Sequence, residues 1–146
     1  MKYLVISILF FCSLFISCKK EQSGNDKILA IIKDSLKVEK TFDKILILQS
    51  AGCHVCNKKF AEYLIENKNS ENDLVIISMQ NVNGYVADKD ISKFKNVIVD
   101  RKGLFFKANV LNNSAAIIFK ENKIDTILNF SDARIYDQNL EYLSAK

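Results

Sequence analysis

KILILQSAGCHVCNKKFAEYLIENK, running from Lys44 to Lys68, is the stretch that decides the fold. Ile45–Leu48 is an unbroken apolar run, the pattern of a central strand covered on both faces. Ala51-Gly52 makes a tight turn. Phe60, Ala61, Leu64 and Ile65 then recur at helical spacing, with Lys58 and Glu62 placed as an i,i+4 ion pair. Cys53 and Cys56 open that helix. The first four N–H groups of a helix lack intrahelical acceptors, and the macrodipole adds partial positive charge there. A thiolate at that place is stabilised, so its pKa falls from about 8.5 into the range of roughly 3.5–7.5. The thiolate is the nucleophile of disulfide exchange, and residues i and i+3 share a helical face, which puts Cys56 within reach of a bridge to Cys53. Cys53 and Cys56 are therefore the candidate catalytic residues of a redox site.

Upstream, residues 1–18 (MKYLVISILFFCSLFISC) carry one Lys near the start and then apolar and small residues only. That is the layout of an export signal, and Tyr3–Ile16 falls short of the about 20 apolar residues a spanning helix needs. Leu14-Phe15-Ile16-Ser17-Cys18 resembles the lipobox of bacterial lipoproteins, with Ser17 and Cys18 at its two most restrictive positions and Phe15 in place of the usual Leu. The resemblance implies cleavage before Cys18, a diacylglyceryl group on its sulfur, and an anchored mature chain. Lys19 rather than Asp after that cysteine implies the periplasmic side of the outer membrane. The chain thus divides into a signal peptide over 1–17, a lipidated polar tether over 18–26 and one domain over 27–146.

Of four cysteines, Cys12 leaves with the signal and Cys18, on the lipobox resemblance, is consumed by lipid. Cys53 and Cys56 remain as thiols in an exported protein, where disulfides persist. A bridge closing so small a loop removes little entropy from the unfolded chain, so a purely structural role explains the pair poorly. The net charge of +4 comes from Lys residues interspersed with acids, and no basic stripe suggests nucleic acid.

Hydrophobic periodicity places a helix over Asp26–Val38, strands at Leu74–Met79 and Asn96–Asp100, a turn at Asn83-Gly84 and a short helix over Asp88–Phe94. Gly103–Val110 turns into a helix. Ala115–Lys120 and Ile124–Phe130 pair as a hairpin across Glu121-Asn122-Lys123, and Ser131 caps a last helix with Tyr136, Leu140 and Leu143 on one stripe. Strands alternating with helices imply an α/β fold with a mixed, mostly parallel sheet flanked by helices on both faces, closed by a hairpin and helix.

The cysteine pair and this element order are similar to the thioredoxin fold, in particular its periplasmic TlpA-like and peroxiredoxin-like branch. Asp88–Asp100 resembles the strand-and-helix insertion of that branch, NVIVDRKG its strand ending in Asp before a Gly, and AAIIFKENKI the strand and turn that follow the family's cis-proline. The resemblance implies attack by Cys53, resolution by Cys56, no organic cofactor, and partners among the protein thiols and disulfides of the cell envelope. Three departures stand out in a chain with no proline. The cis-proline position falls on Ser114, or on Ala115 if the register slips by one. A trans peptide is expected there, with a more open approach to the cysteines. Gly52 replaces the aromatic residue before the first cysteine, and Ile47 replaces the buried carboxylate that acts as internal proton acceptor. His54, the one histidine, either tunes the Cys53 thiolate or is a solvent-facing residue of the helix start.

The expected function is a lipid-anchored thiol–disulfide oxidoreductase. Two rivals remain: a non-catalytic binding module of the same fold, and a copper- or zinc-binding lipoprotein. For zinc, two cysteines and one histidine fall short of four ligands. For haem, Asn57 stands where a ligating histidine would follow the second cysteine. No resident metal is therefore expected. Intact-mass measurement of the membrane fraction is expected to show a chain beginning at acylated Cys18. A retained Met1 or an unmodified Cys18 sinks the lipoprotein reading.

Overall fold

The computed structural model describes residues 23–78 and 85–145. The signal and lipidation segment with Cys18, and the expected Asn83-Gly84 turn, lie outside the described residues. Strand β1 (Lys44–Leu48) sits at the centre of a five-stranded sheet. It pairs parallel with β2 (Asp73–Ser78) on one side and antiparallel with β4 (Ala115–Lys120) on the other. Strand β3 (Val97–Asp100) adds parallel to β2, and β5 (Lys123–Asn129) adds antiparallel to β4, giving the order β3-β2-β1-β4-β5.

The fold is α/β with a mixed sheet, but two of its four strand pairings are parallel and two antiparallel, where a mostly parallel sheet was expected. The reason lies in the connection from Asp100 to Ser114. Its helix is the single turn Leu104–Lys107, and four residues of helix rise only about 6 Å, too little to travel back along the sheet. The chain therefore re-enters at the end where it left, and β4 runs down against β1. Ala115 is thereby paired with Ile47 at the end of β1 that leads to the cysteines.

Helices cover both faces, and period-2 alternation along the strands decides which side chain meets which helix. In chain order they are α1 (Gly24–Ala30), α2 (His54–Glu66), α3 (Asp88–Ile91), α4 (Leu104–Lys107) and α5 (Ala133–Ser144). Leu46, Leu48, Val75 and Ile77 pack with Phe60 and Leu64 of α2 and with Tyr136 and Leu143 of α5. Ile45, Ile47, Leu74 and Ile76 face Ile28 of α1 and Phe105 of α4. Phe130 stacks on Phe60 at 4.3 Å between ring centroids and meets Tyr136 at 5.3 Å, tying β5 to both long helices.

Several boundaries move for identifiable reasons. Ser23 and Asp26 form a reciprocal capping box, so α1 starts at Gly24, inside the expected tether, and runs on as a π-helical turn over Ile31–Ser35. The hairpin loop has two residues, not three: Glu121 and Asn122 take positive φ of 51° and 62°, the type I′ geometry that matches strand twist, and Lys123 already pairs with Lys120. Asp132, not Ser131, caps α5. Its carboxylate accepts the Arg134 N–H at 2.9 Å and the Arg134 guanidinium, whose hydrogen bond holds the Asp132 pKa down at about 2. Among the described residues, α2 makes its ion pair through Lys59 with Asp137 of α5 at 3.6 Å rather than through Lys58 with Glu62.

Tyr136 is a hydroxyl inside this core without a hydrogen-bond partner among the described residues, and burial pushes its pKa up strongly. A buried unmade hydrogen bond costs about 1–3 kcal/mol. Tyr136→Phe keeps the ring contacts and is expected to leave the denaturant midpoint unchanged or raised; a clear drop in midpoint would show that the hydroxyl is satisfied after all.

Candidate redox site at the start of the second helix

The central strand delivers the chain through Gln49–Gly52 to α2, and the cysteines sit at that junction. Cys53 is the N-cap residue, with extended backbone (φ −70°, ψ 109°), and its Sγ accepts the Cys56 N–H at 3.3 Å. The sulfur thus lies where the unpaired N–H groups and the positive end of the macrodipole converge, the arrangement that stabilises a thiolate. Cys56, one turn into the helix, is buried and packs in the same core cluster as Phe60. The two are joined as a disulfide with Cα atoms 5.2 Å apart, within the usual range. Cys53 is half-buried, so solvent meets this pair from one side.

His54 is exposed, and its Nδ1 shares a hydrogen bond of 2.6 Å with the Tyr85 hydroxyl, the rings lying 5.1 Å apart. The residue weighed as a tuner of Cys53 is thus oriented by a phenol from the segment that precedes α3. Val55, between the cysteines, presents an apolar side chain that is 60% exposed.

The two positions at which the thioredoxin-like resemblance would place a proline now separate. Ala115 is the first residue of β4 and pairs with Ile47. Ser114 lies in the preceding loop, wholly buried, and its hydroxyl accepts the Gln49 N–H at 3.0 Å and donates to Asn57 Oδ1 at 2.7 Å. No described peptide bond is cis. Ile47, where the thioredoxin-like resemblance would place an acid, is buried in the all-apolar cluster on the face away from α2.

Gln49, Asn57, Asn113 and Tyr85 were missed in the sequence, and for two of them a signal existed. Asn57 precedes Phe60, Ala61 and Leu64 by three, four and seven residues, so it is a polar residue on the core stripe, and such a residue needs a buried partner. Gln49 prolongs an apolar strand in the same way; it is 2% exposed and its Nε2 donates to the Leu111 carbonyl at 2.9 Å. Among the described residues, no group of three or more His, Cys, Asp and Glu side chains is placed to hold a metal ion. A hollow of about 130 Å³ lies at the other end of the sheet, lined by apolar side chains such as Leu29, Phe42 and Phe119 and by polar ones such as Lys40, Thr41 and Asn122.

No family model, curated protein or solved structure matches this chain. The site's own geometry carries the functional argument.

Gly52 shows how tightly the turn is built. Its φ is +89°, and a Cβ there would stand 2.0 Å from Asn113 Oδ1. Gly52→Ala is expected to cost about 1–2 kcal/mol from backbone handedness alone, with a further loss from displacing Asn113. A melting temperature equal to that of the parent would show that the loop yields freely.

Proposed function

We propose that the chain is a thiol–disulfide oxidoreductase of thioredoxin-like type, held by lipid at Cys18 and acting on disulfides of cell-envelope proteins. The observation that carries the reading is the asymmetry of the pair: Cys53 is half-exposed and capped by an N–H group, while Cys56 is buried beneath it. A strand, a cysteine-bearing helix, a parallel strand and a terminal antiparallel hairpin with helix, in that order, support the thioredoxin-like assignment.

In the reducing direction, the Cys53 thiolate attacks one sulfur of a substrate disulfide and expels the other as a thiolate. A mixed disulfide joins Cys53 to the substrate. The Cys56 thiolate then attacks Cys53 Sγ, releases the second substrate thiolate and closes the Cys53–Cys56 bond. Two electrons pass from the pair to the substrate, and two protons go to the released thiolates. The oxidising direction is the reverse of these steps. No organic cofactor takes part, because the sulfurs carry the electrons.

The non-catalytic binding module remains the second reading, favoured by one observation: Ile47 and its apolar surroundings supply no proton acceptor where related enzymes have a carboxylate. Single cysteine variants separate the two. Cys53→Ser is expected to abolish disulfide reduction, since Cys56 is too buried to begin the attack. Cys56→Ser is expected to leave a nucleophile that cannot release its partner, so adducts dissociated by a small thiol accumulate. An alkylation profile placing Cys53 at the pKa of a free thiol, together with no trapped adduct, would favour the binding module.

A further inference from the structure

The turn that carries Cys53 rests on two buried polar side chains, those of Asn57 and Ser114, in a place where core packing alone calls for apolar ones. Asn57 is completely buried. Its Nδ2 donates to the Ala51 carbonyl at 2.9 Å, and its backbone N–H donates to the Cys53 carbonyl at 2.9 Å. One residue thus grips the carbonyls on both sides of Gly52. Its Oδ1 accepts the Ser114 hydroxyl at 2.7 Å, and that hydroxyl accepts the Gln49 N–H at 3.0 Å. The end of β1, the cysteine turn, the start of α2 and the loop before β4 are fastened through one amide and one hydroxyl.

We propose, resting on the redox reading above, that Asn57 braced by Ser114 is the positioning residue that keeps Cys53 in its N-cap geometry and so sets the reactivity of its thiolate. The cause is the Cys56 N–H, which reaches Cys53 Sγ at 3.3 Å. Hydrogen bonds weaken steeply with distance and misalignment. In the oxidised protein the disulfide itself holds the sulfur in place. Once the bond is reduced, the sulfur is held by the backbone turn and by its packing against the core cluster, and the grip on Ala51 fixes that turn. Asn57 adds no charge, so its effect on Cys53 passes through position. His54, which follows Cys53 in the chain, and the Tyr85 hydroxyl bonded to it are both left intact by changes at 57 and 114.

The test uses the full-length chain carrying Cys56→Ser, with alkylation of Cys53 followed against pH by mass spectrometry of the peptide that bears it. To this parent are added Asn57→Ala, Ser114→Ala, and both together. Each single change is expected to move the Cys53 titration upward, slowing alkylation about five- to tenfold near pH 6 while the rate near pH 10 stays the same. The double variant is expected to do little more than either single one, because both act on one network. Ser114→Ala removes one hydroxyl and keeps the proposal testable if Asn57→Ala does not fold. Variants that lose thermal stability but titrate with the parent overturn the proposal and leave the redox reading standing. A parent Cys53 that already titrates as a free thiol overturns the proposal, and if that parent also traps no adduct the redox reading falls with it.

Discussion

Strand β1 has a hydrogen-bonded neighbour on each edge and a helical layer on each face, and the rest of the molecule is arranged around that enclosure. A chain leaving such a strand has its backbone groups shut away from water, and each must find a partner inside the protein. Gln49 N–H finds Ser114, and the Ala51 carbonyl finds Asn57. The polar set beneath the cysteines therefore follows from bringing a fully buried strand straight to a helix start. The same enclosure fixes the cysteines on a rigid support, because neither the strand nor the helix can shift without breaking packing on two faces.

What the sequence made legible was whatever periodicity and local chemistry determine. The strand at Ile45–Leu48, the stripe on α2 and the alternation that divides the sheet's two faces all follow from apolar spacing, and the structure has them within a residue or two. Caps were less legible. Ser131 and Asp132 are both good N-caps, and the choice fell to Asp132 because Arg134 closes onto its carboxylate. The antiparallel direction of β4 against β1 was not legible, since it depends on how far a four-residue helix can carry the chain, a matter of geometry across the Asp100–Ser114 connection. The partners of Asn57 and Gln49 are 57 and 62 residues away from them, at Ser114 and Leu111, and no local pattern announces such pairings.

The support under the cysteines differs in kind from a buried acid. A carboxylate in a low-dielectric site changes its charge as protons move, and it raises the pKa of a neighbouring thiol while ionised. An amide and a hydroxyl do neither. They hold position and leave the electrostatics to the helix terminus, which favours the Cys53 thiolate whatever the protonation state of the rest of the site. Under the proposed mechanism, then, the first step of exchange has the full benefit of the structure.

The second step has less. Cys56 is buried against Phe60, and burial in apolar surroundings disfavours a thiolate. With Ile47 in an all-apolar cluster, the proton of Cys56 would, under the proposed mechanism, go to a group outside the apolar core. The attack by Cys53 itself generates one, the substrate thiolate it expels, which is released beside the pair. Transfer from Cys56 to that leaving group conserves charge within the complex and needs no resident base. It also couples resolution to the partner: a substrate whose leaving thiol is basic takes the proton and is released, whereas one with an acidic thiol leaves Cys56 protonated and the mixed disulfide in place. Under the proposed mechanism, turnover and durable capture would be two outcomes of one geometry, divided by the basicity of the thiol that the substrate releases.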